Sequence, residues 1–392
     1  MNDPIVIVSA VRTPIGKFLG SLKDVTAPQL GATAVKAAVE RAGVEPEKIE
    51  EVLLGCVLTA GVGQAPARQA AIGAGLPPST GAVTINKVCG SGLKATMLAH
   101  DLVQVGTNQI LLAGGMESMS NAPYLLPKAR VGYRMGHQTA LDHMIYDGLE
   151  DAYHPGKLMG YFAEECATQF KFSRQAQDDF ALLSLERARR AWDEGAFQQE
   201  VVEVNVKTAK DEKLVVEDEG PITATPYKIP TLKPAFVPNG TITAANSSSI
   251  SDGAAALVLM RCSLAKKLNI KPLATIIGHS TCSQAPPLFT TAPIGAIQRL
   301  LDKIKWTIKD VDLFEINEAF AVVVMAAMKE LQLPVEKINV NGGACALGHP
   351  IGASGARILV TLIHALYYYH LKRGIAAICL GGGEAVAMAI EI

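Results

Sequence analysis

The residues of this chain able to do chemistry stand beside glycines. In Asn86-Lys87-Val88-Cys89-Gly90-Ser91-Gly92 a cysteine sits where a strand gives way to a helix. There the helix dipole and unpaired N–H groups favour the thiolate. Small neighbours let a carbonyl approach, and backbone N–H groups can serve as oxyanion donors. Acyl-transfer enzymes use this strand–nucleophile–helix logic. A buried cysteine in a tight turn accounts for the segment equally well.

Three further segments carry candidates. His349 lies in a Gly-rich loop, Gly342-Gly343-Ala344-Cys345-Ala346-Leu347-Gly348-His349-Pro350. A neutral imidazole there could take a thiol proton or donate to a carbonyl oxygen. A histidine satisfied by backbone at a turn is the commoner case, and Cys345 beside it reads as structural. An apolar strand delivers Cys379 just before Gly381-Gly382-Gly383. A thiol of ordinary pKa, about 8.5, suits moving a proton to and from carbon; a core cysteine at a strand end is the plain alternative. Asn317, in Phe314-Glu315-Ile316-Asn317-Glu318-Ala319-Phe320-Ala321, could hold a water or polarise a carbonyl, or belong to a capping network at an apparent helix start.

The elements that must position these residues are those of an α/β protein. Ile5–Ser9, 51–57, 83–86 and 109–113 read as strands, the last ending at Gly114-Gly115. Ala27–Ala42, 64–73 and 90–106 read as helices. This alternation predicts helices packed on a mainly parallel sheet. From Asn121 to Ser249 the alternation stops; one helix is predicted, Ser173–Gly195 with Ser173 as N-cap, within long loops of the kind that cover a site. A buried helix and strand resume at Asp252, and a second α/β region begins near Lys271. The two α/β regions resemble each other: each has a Gly/Ser turn opening a helix, then a strand ending in glycines and a glutamate. Two such halves face to face would bring His349 near Cys89.

Composition narrows the function classes. The chain has 392 residues, 49% hydrophobic and 19% charged, with a net charge of -1. That implies two or three well-buried units and no basic field for nucleic acid or anionic lipid. No signal peptide, peroxisomal address or uninterrupted membrane-length apolar run is read, so a cytoplasmic protein is expected. Seven scattered cysteines without a Cys-x-x-Cys pair argue against a disulfide framework or a zinc site. His137 and His143, with Asp142 between, lack a third ligand at credible spacing.

Taken together, the segments around Cys89, Asn317, His349 and Cys379 resemble those of the thiolases, as do Ser9-Ala10-Val11-Arg12-Thr13-Pro14-Ile15-Gly16 and Gly114-Gly115-Met116-Glu117-Ser118-Met119-Ser120. The resemblance spans essentially the whole chain. It implies a five-layer α-β-α-β-α fold: residues 1–120 with 250–271 as an N-terminal domain, 121–249 as an inserted loop domain binding coenzyme A, and 272–392 as a C-terminal domain. It implies a homo-oligomer, dimer or tetramer, and reversible condensation of two acetyl-CoA to acetoacetyl-CoA and CoA, with no metal or other cofactor.

The resemblance also assigns roles. Cys89 would carry the acyl group. His349 would activate it and, with a water held by Asn317, form one oxyanion site. Cys379 would move the α-proton. The N–H groups of Cys89 and Gly381 would form a second oxyanion site. Ser248, Phe236, Ala319 and Phe320 would line the pantetheine arm, and Met159 would face the acyl pocket. Alternatively, the serine run caps a helix near Asp252 and the phenylalanines are core.

Three positions depart from the family pattern: Leu158 where many short-chain relatives have His, Phe289-Thr290 where many have Met-Gly, and Ile222 where an Arg near the adenine is expected. Lys228 or Lys233 could replace that Arg. The departures keep a degradative 3-ketoacyl-CoA thiolase of broader chain length open as an alternative. A non-catalytic acyl-CoA-binding protein of this fold is a second. A decarboxylating condensing enzyme is disfavoured by Cys379.

Overall fold

A computed structural model describes residues 3–207 and 212–392. Nine strands form the backbone of the fold: β1 (Ile5–Arg12), β2 (Glu51–Gly55), β3 (Gly81–Ile85), β4 (Ile110–Ser118), β5 (Ser251–Arg261), β6 (Ala274–Ser283), β7 (Leu313–Ile316), β8 (Arg373–Leu380) and β9 (Glu384–Glu391). The principal helices are α1 (Ala27–Ala42), α2 (Pro66–Gly73), α3 (Ser91–Val105), α4 (Met159–Phe170), α5 (Arg174–Asp193), α6 (Ala292–Ile304), α7 (Ala321–Leu331) and α8 (Ile351–Tyr368).

The strands run in the order β7-β8-β9-β6-β1-β5-β4-β2-β3. Within the sheet, the strands of the two halves pair where Val6 and Ile7 of β1 meet Thr275 and Ala274 of β6. Helices α1 and α2 cover the outer face of the first half; α6 and α7 cover the second. Between the halves lie α3 and α8, packed on each other and on strands of both. The layers are therefore α-β-α-β-α.

The expectation of a mainly parallel sheet is corrected. Among the nine strands as described, pairing is parallel at β2/β3, β2/β4 and β7/β8 and antiparallel elsewhere. The long insertion returns the chain as β5, antiparallel between β1 and β4, and β8–β9 is a tight hairpin. For the same reason Asp252 opens no helix: it lies in β5, and the serine run before it caps nothing helical. Nor does the fourth strand stop at Gly114-Gly115; it continues to Ser118. Helix α4, within the insertion, carried no capping signal, since Leu158 at its N-cap makes no side-chain bond.

Other local predictions hold with a visible cause. Thr26 and Gln29 form a reciprocal capping box on α1, and Gly43 closes that helix at φ +64°. The Ser173 hydroxyl accepts from the Ala176 N–H at the start of α5. Helix α8 is long and apolar enough to cross a bilayer by length and composition, yet it is largely buried between the two halves.

Close approach of the halves needs glycine. A Cβ on Gly115 would stand 2.0 Å from the Gly352 carbonyl oxygen, and one on Gly92 2.7 Å from the Ala356 nitrogen. Both obstacles are backbone, so neither can turn aside. Gly115→Ala is expected to destabilise the protein by about 3 kcal/mol, the upper range for overpacking. Urea denaturation would read this as a lowered midpoint, and an unchanged midpoint would contradict the packing.

Arg12 anchors the insertion. Its guanidinium, fully buried, donates to Glu200 at 2.5 Å and to both Asp218 oxygens at 2.7 and 2.9 Å. Removing one partner from such a group strands a buried charge, so this family-like arginine is structural.

Candidate active site

The nucleophile segment is a strained turn. Val88 is held at φ +46°, an unusual conformation for a β-branched residue. Side chains hold it there. The Asn86 amide oxygen accepts the Val88 N–H at 3.0 Å. The Ser91 hydroxyl donates to the Val88 carbonyl at 2.6 Å and accepts the Lys87 N–H at 2.8 Å. Lys87 pairs in turn with Glu384 of β9. Cys89 is thereby fixed two residues ahead of α3.

A cavity of about 440 Å³ opens at this turn. It is lined by Cys89, His349, Cys379 and Gly381, and also by Leu158, Met159, Phe236, Ser248, Phe289, Ala319 and Phe320. Eleven of the twelve residues expected at the site thus share one space. The twelfth, Asn317, is not among the lining residues. It lies buried beyond them in the loop between β7 and α7, with neither amide oxygen nor nitrogen bonded to protein. That loop, rather than a helix start, carries Asn317 and Glu318: α7 begins at Ala321.

The Cys89 thiol is pushed up to about 12 by burial, and Glu117 adds to this. The N–H groups of Gly381 and of Cys89 itself oppose the shift, since both address the sulfur. His349 is pushed down to about 3 by burial, with the Arg357 guanidinium in support. The resting pair is therefore thiol and neutral imidazole, not thiolate and imidazolium.

The imidazole tautomer follows from its partners. Ser354 donates its one proton to the Pro350 carbonyl at 2.9 Å, so it accepts from His349 Nδ1 at 2.5 Å. Nε2 is then a bare lone pair with no protein partner. The hydrogen-bond network thus presents a base at a wall of the Cys89 cavity.

Cys379 is fully buried, and burial lifts its thiol well above the ordinary range; Cys89 and then Cys166 add to the effect. Negative charge on either Cys89 or Cys379 disfavours it on the other, so the site holds one thiolate at a time.

The pH behaviour follows. With His349 neutral above about pH 3, nothing in the pair titrates near 6.5. Iodoacetamide labelling of Cys89, followed by peptide mass, is expected to show no inflection between about pH 6 and about pH 9, since the base His349 is neutral throughout. A plateau beginning near pH 7 would indicate a preformed ion pair instead.

Glu117 positions rather than reacts. Its carboxylate accepts the N–H groups of Val57, Leu58 and Gly352 at 3.0, 3.2 and 2.9 Å, pinning the turn after β2 to the first turn of α8. The Cys345 N–H donates to Glu318 at 3.0 Å, in keeping with a structural cysteine. His143 is likewise occupied, by Asp147 and the Ala60 N–H.

Two family models match: Thiolase, N-terminal domain, over residues 5–263, and Thiolase, C-terminal domain, over residues 270–392. This chain belongs to the thiolase family. An acetyl-CoA acetyltransferase of Cupriavidus necator is 49% identical over the full length of both chains. A probable acetyl-CoA acyltransferase of Staphylococcus aureus is 47% identical, covering 99% of this chain and 98% of its own. Among solved structures, the Bacillus anthracis acetyl-CoA acetyltransferase superposes with a TM-score of 0.97 at 42% identity, over the full length of both. The Acat5 thiolase of Ascaris suum, in complex with coenzyme A, gives 0.93 at 43% over 99% of each chain.

The thiolase cavity has walls that motif reading did not reach. Lys17, Phe18, Met119, Ile145, Leu149, Ile250 and Ile351 also line it. Ile145 and Leu149 come from a π-helical turn, Met144–Leu149, for which the sequence held no signal. Lys228 and Lys233 are exposed and do not line the cavity, and Ile222 is exposed on the short helix Glu219–Thr223. Lys17, directly after the Thr13-Pro14-Ile15-Gly16 motif, is the cation that does reach the cavity.

Proposed function

We propose that this thiolase is an acetyl-CoA acetyltransferase that condenses two acetyl-CoA to acetoacetyl-CoA and CoA, reversibly and in two half-reactions. The observation that carries this reading is the pairing of two thiols, Cys89 and Cys379, in one apolar cavity whose wall presents the open Nε2 of His349.

In the first half-reaction Nε2 takes the Cys89 proton as the sulfur attacks the thioester carbonyl. Thiol-for-thiol exchange is nearly isoenergetic, so the acetyl-enzyme is accessible. The departing CoA sulfur recovers the proton from His349. In the second, Cys379 passes its proton to the open Nε2 of His349 and, as thiolate, removes an α-proton from a new acetyl-CoA. The enolate oxygen is held by protonated Nε2 and by a water on Asn317, whose two unpartnered amide atoms can hold one. The enolate carbon attacks the acetyl-Cys89 carbonyl, whose oxygen turns to the N–H groups of Cys89 and Gly381. Collapse releases acetoacetyl-CoA and the Cys89 thiolate, which regains its proton from Cys379, while Nε2 returns its own proton to Cys379.

The pantetheine arm would run between Ser248, held by its N–H on the Ala319 carbonyl at 2.9 Å, and Phe236 against Phe320. Phe289, 2% exposed and packed on Phe320, bounds the acyl end. That bulk favours short chains over the degradative alternative. Assembly into a dimer or tetramer is supported by β3, an edge strand of this sheet whose residues are half-buried or exposed.

The test is thiolysis of 3-ketoacyl-CoA substrates of graded length. The four-carbon substrate is expected to have the highest kcat/KM. A preference for ten or more carbons would replace the proposal with the degradative reading, and absence of turnover on all lengths would favour a binding protein.

A further inference from the structure

Away from the active site, α3 and β6 bring together three metal-ligating groups with no part in the chemistry above. Asp101 Oδ1 lies 3.0 Å from His100 Nδ1 and 2.9 Å from His279 Nε2, and the three atoms are within 4.8 Å of one another. The imidazole rings meet edge to face at 5.1 Å. Both histidine side chains are mostly buried, 15% and 12% exposed, while Asp101 is 52% exposed. Among the described residues, no other trio of His, Cys, Asp and Glu converges this way.

We propose that His100, Asp101 and His279 form a site for a divalent transition metal that clips the first half of the molecule to the second. Ligands about 2.1 Å from an ion stand about 3.0 Å apart when cis in an octahedron. The two carboxylate–imidazole separations already have that value. Two imidazoles and a carboxylate suit zinc, nickel, copper or iron(II) and disfavour magnesium and calcium. The exposed carboxylate side leaves room for water to complete the shell. An ion here would tie α3, the helix that follows Cys89, to β6, which belongs to the opposite half. One feature opposes tight binding: the Lys303 ammonium stands 3.2 Å from the His279 carbonyl oxygen. The affinity is therefore expected to be moderate, and the role structural.

The test is calorimetric titration of the untagged protein with Ni²⁺ alone, beside His100→Ala and His279→Ala. The expected result is one Ni²⁺ per protomer and a raised thermal midpoint, with affinity at least about 10-fold weaker in each variant. Thiolysis and circular dichroism of the metal-free variants should match the parent, which separates loss of a ligand from loss of fold. An anomalous peak from nickel-soaked crystals should lie against all three atoms. Unchanged titrations in both variants, or no saturable binding by the parent, would overturn the proposal and leave Asp101 as a hydrogen-bond bridge between two histidines.

Discussion

Cys379→Ala is expected to abolish condensation while leaving Cys89 able to accept an acetyl group. The two half-reactions need different bases. Acyl transfer to Cys89 uses His349, whereas carbanion formation needs a base at the α-carbon, and Cys379 is the second thiol in the cavity. Losing a positioned proton carrier costs about 10²–10⁴-fold. Condensation measured by acetoacetyl-CoA formation should fall by that factor, while exchange of labelled CoA into acetyl-CoA should persist near the parent rate. The substitution removes one sulfur from a buried cluster that also holds Cys166, Phe162 and Phe289, so some stability is lost as well. A cavity that merely destabilised the fold would depress both rates together. Full condensation by Cys379→Ala would refute its role.

His349→Ala should instead slow both half-reactions. With the thiol pushed up to about 12, Cys89 depends on a base to react at neutral pH. Nε2 is that base in the first step and an oxyanion donor in the second, so a loss of about 10³-fold or more is expected in exchange and in condensation. The remaining rate should rise about 10-fold per pH unit, as only the spontaneously ionised fraction of Cys89 reacts. A structural role would not produce that slope. His349 makes one side-chain bond, to Ser354, so its removal should leave the unfolding midpoint little changed. Equal pH profiles for variant and parent would show that some other group takes the proton.

Much of this site is legible in the amino-acid sequence. Cys89, His349 and Cys379 each lie within two residues of a glycine, Gly90 packed against the Leu380 side chain and Gly348 held at φ +114°, and such glycines are visible in the sequence. The internal resemblance of the two halves places His349 near Cys89, and both line one cavity. Other features are illegible for physical reasons. β5 reads as an apolar run with small residues, Ser251-Asp252-Gly253-Ala254-Ala255-Ala256, which fits a buried helix as readily as a buried strand. Its antiparallel return depends on partners more than a hundred residues away, and with it the sheet's mixed character. Ile145 and Leu149 reach the cavity through a π-helical turn that has no sequence signature. The tautomer of His349 depends on Ser354 one helical turn along, a relation that appears only once α8 exists.

Incubation of the protein with acetyl-CoA, followed by intact mass and peptide mapping, most directly tests the claim that Cys89 carries the acyl group. One acetyl group per chain is predicted, on the peptide containing Cys89, discharged by added CoA and lost in Cys89→Ala. An acetyl group on Cys379 or Cys345, or none on a protein that still forms acetoacetyl-CoA, would contradict it.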